Sequence, residues 1–317
     1  MENFIFSINT TLPIFLVMLV GYFLGRIGLL NENFCTVANK FNFKVTLPVL
    51  LFKDLSTVDI YEIFDFKYVL FCAVATSVCF WTIWFVSKFL FKTKSLIGAF
   101  VQASFRSSAA VMGLAFIQNV YGDSAMGSLM IIGAVPLYNI YSVIVLTFEG
   151  DNGGEDVDIR ERLKQSVVNI LKNPIIIAIV LGVVVALLGI DFPTVVDSTV
   201  KSVAALATPL ALITMGASFE GRKALTRIKP TIWATLIKLV IQAAVFLPVA
   251  AAMGFRGEKM VALIVMLAAP ATPSCYIMAK NMNNDGPLTA SIVVSTTLVA
   301  AFTLTGWMFI LRSLGYI

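Results

Sequence analysis

Ten stretches of this chain are apolar over lengths that a water-soluble helix or strand does not require. They run near residues 5–24, 36–53, 67–91, 95–119 and 125–148. After a polar stretch at 149–172, five more run near 173–190, 199–218, 229–253, 259–281 and 288–311. A bilayer core is about 30 Å thick, and roughly 20 helical residues cross it at about 1.5 Å each. Strands of an outer-membrane barrel would be about half as long and would alternate apolar with polar residues. Helices also satisfy their own backbone polar groups where no water can do so. The expected fold class is therefore an all-α polytopic membrane protein with ten transmembrane helices.

Composition agrees. Hydrophobic residues make up 59% of the 317 and charged residues only 13%, against about 25% charged in an ordinary soluble domain. The chain has no histidine, which removes the commonest metal ligand and acid–base group. Its four cysteines, Cys35, Cys72, Cys79 and Cys275, fall in or beside apolar segments without metal-ligand spacing and read as core thiols. No metal and no cofactor is expected. The net charge of +5 is spread over short loops, so it informs topology and does not suggest a nucleic-acid partner. The opening residues Met1-Glu2-Asn3-Phe4 lack a basic region and no small-residue cleavage site follows, so the first apolar segment is expected to stay as a membrane helix.

Orientation follows from the loops. With the N-terminus outside, 13 Lys and Arg lie on the cytoplasmic side, among them Lys88, Arg160, Arg222 and Arg227, and 6 on the outer side. The excess predicts both termini outside.

A repeat divides the chain. Pro13, Gly21, Gly28 and Pro48 recur as Pro174, Gly182, Gly189 and Pro209, each displaced by 161 residues, and Asp123 recurs as Asp285 at 162. The expected organisation is a first five-helix repeat at 1–148, a cytoplasmic linker at 149–172 and a second five-helix repeat at 173–317. Five is odd, so the second half enters from the opposite face. The repeat is then inverted, a transporter architecture.

The fourth and ninth segments are irregular. The fourth carries a polar cluster, Ser104-Phe105-Arg106-Ser107-Ser108, midway along an apolar run; the ninth carries Pro270 and Pro273 three apart. Each proline removes a backbone donor and crowds the preceding turn, so the helix is expected to open. Ser108 displaced by 162 lands on Pro270, which makes the two breaks symmetry mates. Half-helices starting after Ser107/Ser108 and after Pro273 would turn partly positive amides toward a ligand at mid-membrane; an ordinary proline kink is the plainer alternative for Pro270 alone.

The charges inside the spans have one sign. All 18 Asp and Glu lie outside the ten segments, while Lys40, Lys44, Arg106 and Lys238 lie inside. A mid-membrane charge costs roughly 2.5–3.5 kcal/mol on insertion scales, so such residues usually line a polar path. Lys40 is close enough to the cytoplasmic end to snorkel. Arg106 faces either an anionic substrate or backbone carbonyls. Lys44 and Lys238 read first as structural cations and second as candidates to line the path.

At these residues the chain resembles the auxin efflux carrier family, specifically its short bacterial members, some described as malate or malonate permeases. The matching stretches are Leu47-Pro48-Val49-Leu50-Leu51-Phe52, Ser104-Phe105-Arg106-Ser107, Pro136-Leu137-Tyr138-Asn139-Ile140-Tyr141-Ser142-Val143, Pro209-Leu210-Ala211-Leu212 and Ala269-Pro270-Ala271-Thr272-Pro273-Ser274. The resemblance implies a fold shared with bile-acid sodium symporters. In that fold segments 1, 2, 6 and 7 form a scaffold, and segments 3–5 and 8–10 form a transport core. Broken segments 4 and 9 cross there, with the substrate at the crossing. It further implies elevator-like movement, a homodimer through the scaffold, and residence in a bacterial cytoplasmic (inner) membrane. The implied substrate-binding residues are Ser104, Arg106, Ser107, Ser108, Tyr138, Asn139, Pro270, Thr272, Pro273 and Ser274. The plant carriers have an asparagine-proline-asparagine run at the first break, where this chain has Phe105-Arg106-Ser107-Ser108.

The function expected from these features is secondary transport of small organic anions, carboxylates such as malate or malonate, with an aromatic monocarboxylate left open. A channel on the same helices is the competing class. A membrane enzyme would need a nucleophile–base pair, paired carboxylates or a metal, and without histidine or an embedded acid only a Ser–Lys pair using Lys238 is conceivable. Coupling stays open between uniport or antiport and a cation-coupled cycle.

Overall fold

The computed structural model describes residues 2–57, 65–109, 117, 125–150, 167–168, 171–219 and 226–317. Among these it is all-helical, with no strand. The helices are α1 (Glu2–Arg26), α2 (Glu32–Phe41), α3 (Leu47–Ser56), α4 (Phe66–Leu90), α5 (Lys94–Phe105), α6 (Ala125–Glu149), α7 (Pro174–Leu188), α8 (Thr194–Ala205) and α9 (Ala207–Ala217). They continue with α10 (Ile228–Leu236), α11 (Gln242–Ala252), α12 (Glu258–Ala268), α13 (Ser274–Asn281) and α14 (Gly286–Ser313). Single π-helical turns, Asn42–Thr46 and Ile237–Ile241, join α2 to α3 and α10 to α11.

Polar residues at the edges of the apolar runs start the helices. Asn31 accepts from the Phe34 amide (2.8 Å), Asp65 from Tyr68 (3.1 Å), Asn173 from Ile175 (2.9 Å) and Asp285 from Leu288 (2.7 Å). Each side chain satisfies an amide that has no partner inside its own helix. Pro174 follows Asn173 at the first helical position, where its missing donor costs nothing.

Five described stretches are long and apolar enough to cross a membrane: Phe66–Leu90, Leu129–Glu149, Thr194–Ala217, Ile228–Ala252 and Gly286–Ser313. Pro174–Leu188 is a shorter apolar helix, and Leu16–Arg26 is an apolar stretch within α1. The sequence led to ten uniform segments, and the differences have local causes. The second segment carries Lys40, Lys44 and Lys53 along α2 and α3. The ninth is divided between α12 and α13, and the fourth leaves the helix at Arg106.

Packing is closest where glycine removes the side chain. α1 lies on α9 with Gly21 against the Ile213 carbonyl, and α3 lies on α7 with Gly182 against the Phe52 carbonyl. α4, α5 and α6 pack on one another around an aromatic cluster in which Phe80 stacks on Tyr141 (centroids 4.4 Å apart) and meets Phe105 edge-on. α12 runs through the centre: every residue from Met260 to Ala268 is buried, as a helix apolar on all sides should be.

Candidate functional site

The site is best built from carbonyls. α12 ends at Ala268, five residues follow without helix, and α13 begins at Ser274. In an unbroken helix the Met266 carbonyl would accept from residue 270 and the Ala269 carbonyl from residue 273, but both positions are proline and donate nothing. Buried carbonyls left open are costly, so other donors converge here. The Tyr138 hydroxyl donates to Met266 O (2.9 Å), and Lys238 Nζ donates to Met266 O (3.3 Å) and Leu267 O (3.2 Å). Ser107 Oγ donates to Val265 O (2.9 Å) and Ala269 O (3.4 Å).

α5 ends in the same manner. Arg106 turns to an extended conformation (φ −81°, ψ 135°). Two residues on, Ser108 then directs its amide not to the Ser104 carbonyl, one turn back, but to Pro270 O at 3.0 Å. The Ser104 carbonyl accepts instead from Gln242 Nε2 at 2.8 Å. The two irregular stretches, 162 residues apart, are thus hydrogen-bonded to each other.

Beside this contact lies a cavity enclosing about 580 Å³ of space between atoms, part of it open to solvent. Its wall holds Arg106, Ser107, Ser108, Tyr138, Asn139, Thr272 and Ser274 from the expected site. Asn42, Asp54 and Thr208 complete the polar lining, with Leu47, Leu50 and Leu51 among the apolar part. The lining divides about evenly between polar and apolar side chains, and the convergent polar groups are what a small-molecule site uses to orient its ligand.

Arg106 is the one cation among the residues lining this wall. It is 4% exposed, and among the described residues the one side-chain acceptor it meets is Met278 Sδ, at 2.9 Å from a terminal guanidinium nitrogen. A guanidinium carries five donors, and a thioether is a weak acceptor for one of them. Asn139 donates to Val135 O (2.9 Å), while its Oδ1 is buried without a partner. Thr272 and Ser274 share a hydroxyl–hydroxyl bond of 3.1 Å.

Other expected residues lie elsewhere. Ser104 is buried behind the cavity wall, its Oγ unpartnered; Pro270 and Pro273 shape the break without entering the lining. Lys238 sits behind the break and is 0% exposed. Lys44 falls on the exposed side of the Asn42–Thr46 turn, away from the cavity. The half-helix expected after Ser108 falls largely on residues 110–116, outside the described residues. At the start of α13 the Cys275 and Tyr276 amides are bound within the turn, to Thr272 O (3.0 Å) and Pro273 O (3.1 Å).

Three polar lining residues, Asn42, Asp54 and Thr208, escaped the sequence reading. Asn42 ties its amide to Ala207 O (2.8 Å) and accepts from Thr46 Oγ1 (2.7 Å), joining the π turn to the start of α9. Asp54, 3.4 Å from Lys53, brings a carboxylate to the cavity. It follows its apolar run by one residue, so a boundary drawn by hydropathy placed it outside the span, and its position four residues after Leu50 and three after Leu51 was the signal available.

An apolar, all-helical chain enclosing a polar cavity beside interrupted helices belongs to the class of multi-pass membrane transporters. The family model described as "Membrane transport protein" matches residues 6–308, and the chain belongs to this family, that of the auxin efflux carriers. It is 26% identical to the uncharacterized transporter YfdV of Escherichia coli over 315 residues, 97% of this chain and 98% of that one. It is 22% identical to an uncharacterized transporter of Methanothermobacter thermautotrophicus over 314 residues, 97% and 99% of the two chains.

Proposed function

We propose that this membrane transporter carries small organic anions, carboxylates of the size of malate or malonate, by alternating access at the meeting of the two interrupted segments. The observation that carries the reading is Arg106: a buried cation in the cavity wall, with a thioether as its acceptor among the described residues. A charge so enclosed is stable only with compensation, and a carboxylate accepting two parallel guanidinium bonds provides it with defined geometry. Hydroxyls of Ser108, Thr272 and Ser274 stand on the same wall and can share the load.

In this reading the ten segments form two inverted five-helix repeats. Two structural pairs support that arrangement. Gly21 meets Ile213 and Gly182 meets Phe52; adding 161 to Gly21 and to Phe52 gives Gly182 and Ile213, so one contact maps onto the other. Ser107 and Ala269, 162 apart, bond directly, as residues facing each other across a pseudo-twofold axis would. The segments containing α1, α3, α7 and α9 then serve as the scaffold and homodimer surface, and the rest as the core that slides in an elevator-type cycle. The positive-inside count puts both termini outside the cytoplasmic membrane.

The test is a thermal-shift screen of the purified protein against malate, malonate, lactate, indole-3-acetate and inorganic anions, followed by flux into liposomes. Stabilisation by a carboxylate and saturable uptake of that compound are expected. Stabilisation by neutral or cationic solutes alone would overturn the anion reading, and unitary currents would overturn the carrier.

A further inference from the structure

The cavity accounts for Arg106 but not for Lys238, which is fully enclosed. Its ammonium lies 3.3 Å from Met266 O, 3.2 Å from Leu267 O and 3.2 Å from Gln242 Oε1. No Asp or Glu among the described residues pairs with it. These acceptors have a common origin. Met266 and Leu267 are in the last turn of α12, where Pro270 offers no amide and the Ala271 amide is taken by Thr296 Oγ1 (3.2 Å). Gln242, one helical turn after Lys238, spends its own amide nitrogen on Ser104 O in the last turn of α5, which leaves its Oε1 turned toward the ammonium. The C-terminal end of α12 therefore meets the ammonium directly and that of α5 meets it through Gln242, and each end carries the partial negative charge of carbonyls that lack a helical partner.

Such a point is where broken-helix transporters can hold a monovalent cation, on unwound carbonyls and half-helix C-termini. Here a side chain occupies it. We infer that the Lys238 ammonium is a built-in substitute for a co-transported cation, so that the substrate cycle of this protein is independent of sodium. The π turn Ile237–Ile241 supports this placement. A π turn widens the backbone by one residue, and it directs Lys238 and Gln242 together at the junction. The cation stays with the core through the cycle, neutralising the carbonyl cluster whichever face is open. The claim about the cycle rests on the carrier reading above; the claim about the occupied cation position does not.

The experiment separates the two. Thermal unfolding of the full-length protein is compared in sodium, lithium, potassium and choline chloride at matched ionic strength, without substrate. The wild type is expected to unfold at the same temperature in all four. Lys238→Ala is expected to unfold lower and to recover about 3 °C in about 100 mM sodium, lithium or ethylammonium relative to choline. Lys238→Met, similar in length and without charge, serves the same purpose where the alanine variant does not fold. Saturable stabilisation of the wild type by sodium would overturn the inference, as would a folded variant indifferent to every small cation. Failure of all anions to stabilise the wild type would instead count against the carrier reading and leave the cation result standing.

Discussion

Replacing Gly21 with alanine puts a methyl group against the Ile213 carbonyl, well inside the 3.0 Å that real Cβ atoms do not cross, with Ile213 Cα at 2.8 Å. All the atoms it meets are backbone, so no rotamer change relieves the contact; α1 and α9 have to separate by about 1 Å. Overpacking of this kind costs about 1–3 kcal/mol and outweighs the gain of up to about 1 kcal/mol that alanine brings to a helix. The corresponding contact in the second half is looser: a methyl at Gly182 meets Phe52 O at 2.9 Å. There the strain and the helix gain nearly offset, so the net change stays within about 1 kcal/mol. Gly306 has nothing within 4 Å of an added Cβ and serves as the control, expected to be neutral or stabilised by up to about 1 kcal/mol. Thermal unfolding of the three purified variants is the assay. Gly21→Ala should fall by about 2–8 °C, and the other two should stay within about 3 °C of the wild type. A tolerated Gly21→Ala, or a Gly182→Ala that is the worse of the pair, would refute the packing argument.

Tyr138→Phe removes one of the two donors to Met266 O while Lys238 keeps the other; a loss of about 1 kcal/mol, or 2–4 °C, is expected by thermal unfolding. Because the hydroxyl is spent on the backbone, anion affinity should change by less than about threefold. Outside the spans, the Lys259 ammonium bonded to Asp65, helped by the Tyr68 amide, holds the Asp65 carboxyl below its usual range. Its stabilising contribution is present above the unfolded carboxyl value near about 4 and is lost as pH falls through the lower folded value. Unfolding scans of Asp65→Asn should therefore lose part of the acid-side slope expected of the wild type below about pH 4. Asp54→Asn removes the one Asp or Glu identified in the cavity wall and should tighten anion binding by about two- to tenfold, the scale of one screened unit charge, as read by titration.

Much of this arrangement is legible in the sequence, and the parts that are not share a cause. Segment lengths, the prolines at 270 and 273 and the serines at 107 and 108 are one-dimensional signals, and the structure brings those two stretches into contact. Depth along a helix is equally readable. Azimuth is not, once a π turn intervenes: Lys44 lies on the exposed side of its turn, while Asn42 in that turn lines the cavity. Partner choice is hidden for a related reason. Ser107 and Tyr138 carry the right chemistry for a ligand, yet their hydroxyls compensate the Ala269 and Met266 carbonyls freed by two missing proline amides, and that need appears only when the two stretches meet. Asp54 was missed because hydropathy marks where apolar residues stop and not where a cavity ends.

Arg106 is where the central claim is most directly open to measurement. Titration of the best-stabilising carboxylate into wild-type, Arg106→Lys and Arg106→Ala protein compares a fork, a point charge and no charge at one position in the cavity wall. Loss of a charge-assisted bond of about 1.5–3 kcal/mol predicts affinity about ten- to a hundredfold weaker for Arg106→Ala, with Arg106→Lys between. Equal affinity in all three folded proteins would contradict the account, because the carboxylate would then be held by something other than the buried cation from which the function was argued.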